Sequence, residues 1–184
     1  MERDAGPSER ANYFFALLPD PAATAAADRM AKALIHWFEL AGRPRTNKYH
    51  VSLWGWSAVV EPDGQGLALM RRAAPRVRQT AFKLTFDEVA SFSQRADKKA
   101  LVMTGRDTVV GAHRLHDALD REMRAAGFLG RRVSGQPHLT LLYDHRLVPP
   151  VRVRPLSWLA TEFVLIRSVR REDYEILDRW PLQG

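Results

Sequence analysis

The chain has 184 residues, 46% apolar and 27% charged, a balance that supports a globular core and excludes a disordered or fibrous protein. It has no cysteine, which excludes a disulfide framework and a thiolate metal site, and no apolar run approaches the roughly 20 residues a bilayer span needs. The 28 Lys and Arg against 21 Asp and Glu leave a formal charge of +7, which favours polyanionic partners, nucleic acid above all.

The opening residues, MERDAGPSER, are polar, carry no secretory signal, and read as a loose tail before a folded unit over 11–184. A reducing, cytoplasmic setting is the expectation. ANYFFALL (Ala11 to Leu18) is a short apolar run and a first strand. A helix follows, with Asp20 as N-cap, Pro21 at its first position, an apolar stripe of Met30, Ala33, Leu34 and Trp37, and an end at Gly42. After the basic loop RPRTNKY comes a strand, HVSLWGWSAVV, then a turn and a short helix over Leu67 to Arg78. FKLTF alternates as a half-buried strand, and the slip to Val89 and Phe92 predicts a bulge or two strand segments. KALVMTG is another strand. RDTVVGAHRLHDALDREMRAAG is a second long amphipathic helix, with Ala112, Leu115, Leu119, Met123 and Ala126 on one stripe and Gly127 at its end. PHLTLLYD, a Pro-rich crossing (RLVPPVRVRP) and two closing strands complete the chain. The order amounts to an approximate duplication of a strand-helix-strand unit, which argues for an α+β or mixed α/β domain of two lobes.

Two tetrapeptides stand at matching places in that duplication: HVSL from His50 and HLTL from His138. In a strand, residues i and i+2 share a face, so His50 lies beside Ser52 and His138 beside Thr140, while Val51, Leu53, Leu139 and Leu141 anchor the other face. Related by a twofold, the two faces would look at each other across a cleft. Two imidazoles can then supply a neutral base and a protonated acid near neutrality, and two hydroxyls can donate hydrogen bonds to phosphoryl oxygens. In-line displacement at phosphorus requires that pairing of base and acid on opposite sides. A metal reading would need three or four ligands at recognisable spacing, which His36, His113, His116 and His145 do not add, so these four are assigned to structure or surface and no metal is expected.

At these residues the sequence resembles the two-histidine (2H) phosphoesterase superfamily, in its bacterial 2′-5′ RNA ligase-like, RNA 2′,3′-cyclic phosphodiesterase branch. The resemblance includes the two H-x-[ST]-apolar motifs, the opening YFFALLPDP and the closing EFVLIRSVRREDYEILDRWPL. It implies an α+β fold, bilobal, with antiparallel sheets around a central cleft. It also implies metal-independent hydrolysis of 2′,3′-cyclic phosphate at RNA or oligonucleotide ends, with weak reversible 2′-5′ ligation in some members. Carried onto this chain, His50 and His138 would be the acid–base pair and Ser52 and Thr140 the phosphate-binding hydroxyls, with no cofactor.

Two departures stand out. The family often continues the first motif with apolar-Phe-Leu-Gly, where this chain has WGWSA, and often has an arginine where this chain has Tyr143. Either Arg146, Arg131 or Arg132 takes over that charge, or the substrate differs. Tyr143, Trp54, Arg131 and Arg132 are therefore candidate substrate contacts, Trp54 and Trp56 sharing the face of His50 only if the strand stays regular past Gly55. The basic loops with Arg43, Arg45 and Lys48, and with Arg131 and Arg132, immediately precede the histidine strands and would rim the cleft along an RNA backbone. The expected protein is a monomer without membrane attachment. The alternatives are a 2H enzyme acting on a small cyclic nucleotide or a 2′-5′ oligonucleotide, and a non-catalytic module that binds RNA ends.

Overall fold

The computed structural model describes residues 10–59, 64–92, 98–128 and 135–183. The proposed N-terminal tail, Arg131 and Arg132 lie outside the described residues, apart from Arg10 at the tail's end. Among the described residues, eight strands are formed: β1 (Arg10–Leu17), β2 (Val51–Val59), β3 (Phe82–Phe92), β4 (Lys99–Thr104), β5 (His138–Asp144), β6 (Val151–Ala160), β7 (Glu162–Val169) and β8 (Glu175–Pro181). Three α-helices accompany them: α1 (Pro21–Phe38), α2 (Gln65–Ala73) and α3 (Val110–Ala125).

The strands lie in the order β6-β3-β4-β5-β2-β1-β7-β8, and every pairing is antiparallel. The duplicated unit is β1-α1-β2 in one half and β4-α3-β5 in the other. The halves meet where β2 faces β5, and there the ladder shrinks to one residue pair, Val51 opposite Leu139. Helix packing reinforces this seam. Helix α1 leaves β1 but lies against β5 and β6, while α3 leaves β4 but lies against β2 and β3. Each helix thus bolts its own half-sheet to the other.

Local chemistry sets the boundaries. Asp20 caps α1, its carboxylate accepting the Ala23 N–H at 2.7 Å. The helix stops at Phe38 rather than Gly42 because Glu39 turns left-handed (φ 51°) and returns its N–H to the Ile35 carbonyl. The buried stripe of α1 is also not the expected one. Ala23, Ala27, Ala31 and Leu34 face the sheet, where small side chains permit close approach, and Trp37 stands 76% exposed. Helix α2 ends at Ala73, before the proposed Arg78, and a 3₁₀ turn over Ala74–Arg76 takes up Pro75. Helix α3 follows a 3₁₀ turn (Asp107–Val109) and ends as its sequence suggests, with Gly127 left-handed at φ 86° and Phe128 N–H on the Met123 carbonyl. The second half of the Pro-rich crossing, from Val151, is itself part of β6. Pro155 is tolerated there because β6 is an edge strand. β3 runs unbroken over 11 residues, with its register against β6 shifting between Phe86 and Glu88.

The main core fills the space between sheet and helices, with Phe15, Leu53, Trp54, Phe86, Met103 and Leu115 among its fully enclosed side chains. A second, small cluster of Ala16, Val164 and Ile166, flanked by Phe14, Leu18 and Tyr174, lies separately from that core.

Candidate active site

The single pair Val51–Leu139 organises the site. Carrying the antiparallel register one residue either way sets His50 opposite Thr140 and Ser52 opposite His138. Val51 and Leu139 are wholly buried, so the four polar side chains lie together on the opposite face. The histidines and hydroxyls alternate around a small quadrilateral.

Both imidazoles are held alike. His50 Nδ1 lies 2.9 Å from the Lys48 carbonyl, and His138 Nδ1 lies 2.9 Å from the Gln136 carbonyl, in each case two residues upstream. A carbonyl can only accept, so each Nδ1 carries the proton and each Nε2 is the nitrogen left for other partners. The anchoring carbonyls are themselves fixed. The 3₁₀ turn Thr46–Lys48 orients the first, and the Gln136 side-chain amide donates to the Gly105 carbonyl at 2.6 Å. Aromatic rings flank both imidazoles: Phe14 at 5.1 Å and Tyr174 at 5.3 Å from His50, and Phe92 at 5.1 Å from His138.

The two histidines differ electrostatically. Burial, with smaller contributions from the nearby charges of Arg45 and His138, pushes His50 down to about 4. Its Nε2 is therefore an available lone pair at neutral pH, and it accepts the Ser52 hydroxyl at 3.0 Å.

A β-bulge follows the hydroxyl in both motifs. Against β1, Ser52 pairs with Ala16 and Trp54 with Phe15, leaving Leu53 as the extra residue. Against β4, Thr140 pairs with Val102 and Leu142 with Leu101, leaving Leu141 extra. Each bulge reverses the alternation beyond it, so Leu53 with Trp54, and Leu141 with Leu142, are buried in succession. This corrects one expectation. Trp54 does not share the face of His50. It is 1% exposed, packs on Phe15 and Phe128, and donates its indole N–H to Asp120 at 3.2 Å. Trp56 likewise packs against Tyr13 and Phe128. Tyr143 moves the other way, out of the core and 37% exposed.

The carbonyls freed at the two bulges both find donors. His116 of α3 donates Nδ1–H to Leu53 O at 2.7 Å, which gives this histidine the structural role expected of it. The Arg45 backbone N–H donates to Leu141 O at 2.9 Å. The loop before β2 is thereby laid along β5, where a Cβ on Gly42 would stand 2.4 Å from the Tyr143 carbonyl. Asp144 secures the same contact by accepting the Gly42 and Arg146 N–H groups, each at 2.8 Å, and these amides hold its carboxyl below the usual carboxylate range against the opposing effect of burial.

Of the proposed replacements for a cation at Tyr143, Arg146 points elsewhere, to Glu39 and the Phe38 carbonyl. Arg45 sits beside it instead, its guanidinium 4.9 Å from the Tyr143 ring centroid and its Nη2 donating to the Tyr174 hydroxyl at 2.9 Å. Lys98 approaches the same ring at 4.6 Å. Tyr174 has no signal in the sequence, since it comes from the turn between β7 and β8, far from either motif. Among the described residues, no group of three or more His, Asp or Glu side chains is gathered to hold a metal ion.

No family model and no curated protein matches this sequence. Solved structures do match, across nearly the whole chain. LigT of E. coli in its apo form is 27% identical with a TM-score of 0.71, covering 96% of this chain and 100% of LigT. A structure described as a phosphoesterase is 25% identical with a TM-score of 0.71, covering 96% and 99%. LigT complexed with 3′-AMP is 25% identical with a TM-score of 0.68, covering 96% and 100%. The fold, an antiparallel sheet with helices, is that of the phosphoesterase structures it matches. Over nearly its whole length the chain is similar in structure to LigT-like members of the 2H superfamily.

Proposed function

We propose that this protein hydrolyses 2′,3′-cyclic phosphates at RNA or oligonucleotide ends, without a metal, using His50 and His138 as an acid–base pair. The observation that carries this reading is the matched anchoring of the two imidazoles, which turns both Nε2 atoms to one face across the Val51–Leu139 seam. Water attacks phosphorus while His50 Nε2, neutral in the free protein, takes its proton. The P–O bond to one ribose oxygen breaks, and His138, protonated on both nitrogens, gives its Nε2 proton to that oxygen. A phosphomonoester and a free hydroxyl result. Thr140 donates a hydrogen bond to a non-bridging oxygen, and Ser52 does so once bound substrate displaces its hydroxyl from His50 Nε2. The same groups with exchanged roles would serve the reverse, ligating direction. LigT, the relative captured with 3′-AMP, supports a nucleotide in the cleft.

The deciding experiment incubates the protein with cyclic-phosphate-ended oligonucleotides and with small cyclic nucleotides in parallel, with and without a chelator, and resolves the product isomers. Chelator-resistant opening of the oligonucleotide ends is expected. Turnover of small nucleotides alone would redirect the assignment to that substrate class, binding without turnover would leave an RNA-end-binding module, and loss on chelation with rescue by one divalent ion would overturn the metal-free mechanism.

Salt separates the substrates further. If Arg43, Lys48 and the loop carrying Arg131 and Arg132 meet three or four backbone phosphates, the log of a longer oligonucleotide's affinity should fall against log salt with a slope of about −2 to −3. A cyclic mononucleotide should respond far less. Equal slopes would remove the basic loops from the interface.

A further inference from the structure

We propose that Arg45 is the cation that receives the substrate phosphate, delivered to the cleft from the first lobe by a loop fastened across the second. The inference rests on the paired-histidine reading and adds a permanent charge to it, because the protonated His138 loses its charge as it gives up its proton, whereas a guanidinium stays charged throughout.

Several surface arginines of this protein are committed to carboxylates: Arg71 to Asp178, Arg124 to Asp120, Arg146 to Glu39, Arg152 to Asp87 and Arg179 to Glu162. Arg45 is different. It is half-buried, and among the described residues its guanidinium has no carboxylate partner. Its side-chain contacts are neutral, namely the Tyr174 hydroxyl and the Tyr143 ring, and its Nε is enclosed with no hydrogen-bond acceptor. A guanidinium taken partly out of water without an anion is unfavourable, and such an arrangement calls for an explanation. An anionic ligand supplies one.

The position fits. The Arg45 backbone N–H is fixed to Leu141 O, one residue beyond Thr140, so the side chain starts beside a proposed phosphate-binding hydroxyl. Its other anchor, Tyr174, lies edge-on to the His50 ring at 5.3 Å. The guanidinium thus lies at the end of the quadrilateral formed by His50 and Thr140, and its charge is felt at His50. Tyr143 gains a role by the same argument. The bulge at Leu141 turns its ring out of the core and makes it the platform on which the guanidinium rests. Tyrosine at this position is complementary to a cation arriving from the opposite lobe, where an arginine would repel it.

The test compares wild type with Arg45→Gln, Arg45→Lys and Tyr174→Phe, using Arg146→Gln as the surface control. Three readouts are taken: calorimetric binding of 3′-AMP as a phosphomonoester probe, kcat/KM on a cyclic mononucleotide, and the His50 titration by NMR without ligand. Arg45→Gln should weaken binding and lower kcat/KM by about tenfold to hundredfold, the loss expected for one charge-assisted hydrogen bond. It should also raise the His50 titration point, since a neighbouring positive charge is removed. Arg45→Lys should restore the titration point and only part of the binding, and Tyr174→Phe, which loosens the guanidinium without removing it, should cost severalfold in binding. If Arg45→Gln folds poorly, the Tyr174→Phe and Arg45→Lys results decide alone. Binding by Arg45→Gln equal to wild type, or wild-type binding in both of the other variants, would overturn the proposal. A wild-type protein that binds 3′-AMP through Arg45 but opens no cyclic phosphate would instead leave Arg45 standing and remove the hydrolase assignment.

Discussion

Alanine in place of His50 or His138 is expected to lower turnover of a cyclic phosphate by about 10²–10⁴-fold while the protein stays folded. Both side chains lie opposite the wholly buried Val51 and Leu139, so truncating them leaves the main core untouched. Ser52→Ala and Thr140→Ala should cost less, about tenfold, because each removes a hydrogen bond and no proton-transfer group. The pH profile distinguishes the partners. A base must be unprotonated to act, so kcat/KM should fall as pH drops through the His50 value of about 4, and this acidic limb should disappear in His50→Ala. The alkaline limb belongs to the acid, and both limbs report the coupled pair. Wild-type turnover by either alanine variant would remove the paired mechanism.

Trp54→Ala is expected to destabilise the fold by about 3–5 kcal/mol, which for a chain of this size lowers the melting temperature by about 6–20 °C. The indole is enclosed between Phe15 and Phe128, its N–H is bonded to Asp120, and the bulge at Leu53 has set it inside the sheet–helix core. Trp54→Phe should recover much of the loss, and substrate affinity of the folded fraction should be unchanged in both. Near-normal stability with a raised KM would mean that the ring belongs to the cleft after all. Equilibrium denaturation and steady-state kinetics on the same preparations decide between the two.

The contrast between Trp54 and His50 shows which features of the site are legible in sequence. Alternation identified the two strands, and the repeated histidine-hydroxyl spacing identified the shared face, because both follow from the two-residue period of an extended chain. The bulges break that period, and HVSLWGW continues to alternate on paper through the residue where the strand does not. Two large apolar residues in succession, Leu53-Trp54 and Leu141-Leu142, are the local trace a bulge leaves, and they recur at the same place in both motifs. In α1, the larger Met30 and Trp37 outweigh in hydropathy the alanines that touch the sheet, since hydropathy does not register how closely a helix must approach. Arg45 was visible only as one of several loop cations. Its distinction comes from contacts 96 to 129 residues away, with Leu141, Tyr143 and Tyr174, which no local pattern encodes.

The strand order has a temporal side. The half-sheet built from β3, β4, β5 and β6 is encoded in one uninterrupted stretch, from Phe82 to Ala160. The other half is encoded at both ends of the chain: β1 and β2 emerge first, but the outer edge of β1 has no partner until β7 arrives, and β8 is last of all. During synthesis β1 must therefore wait with an open edge while the later half-sheet takes shape, and α1 lacks the strands it packs against most, β5 and β6. Tyr174, beside His50, arrives only with the final turn. The nascent chain carries both histidines long before it has a cleft, and its last strands determine when the two become a site.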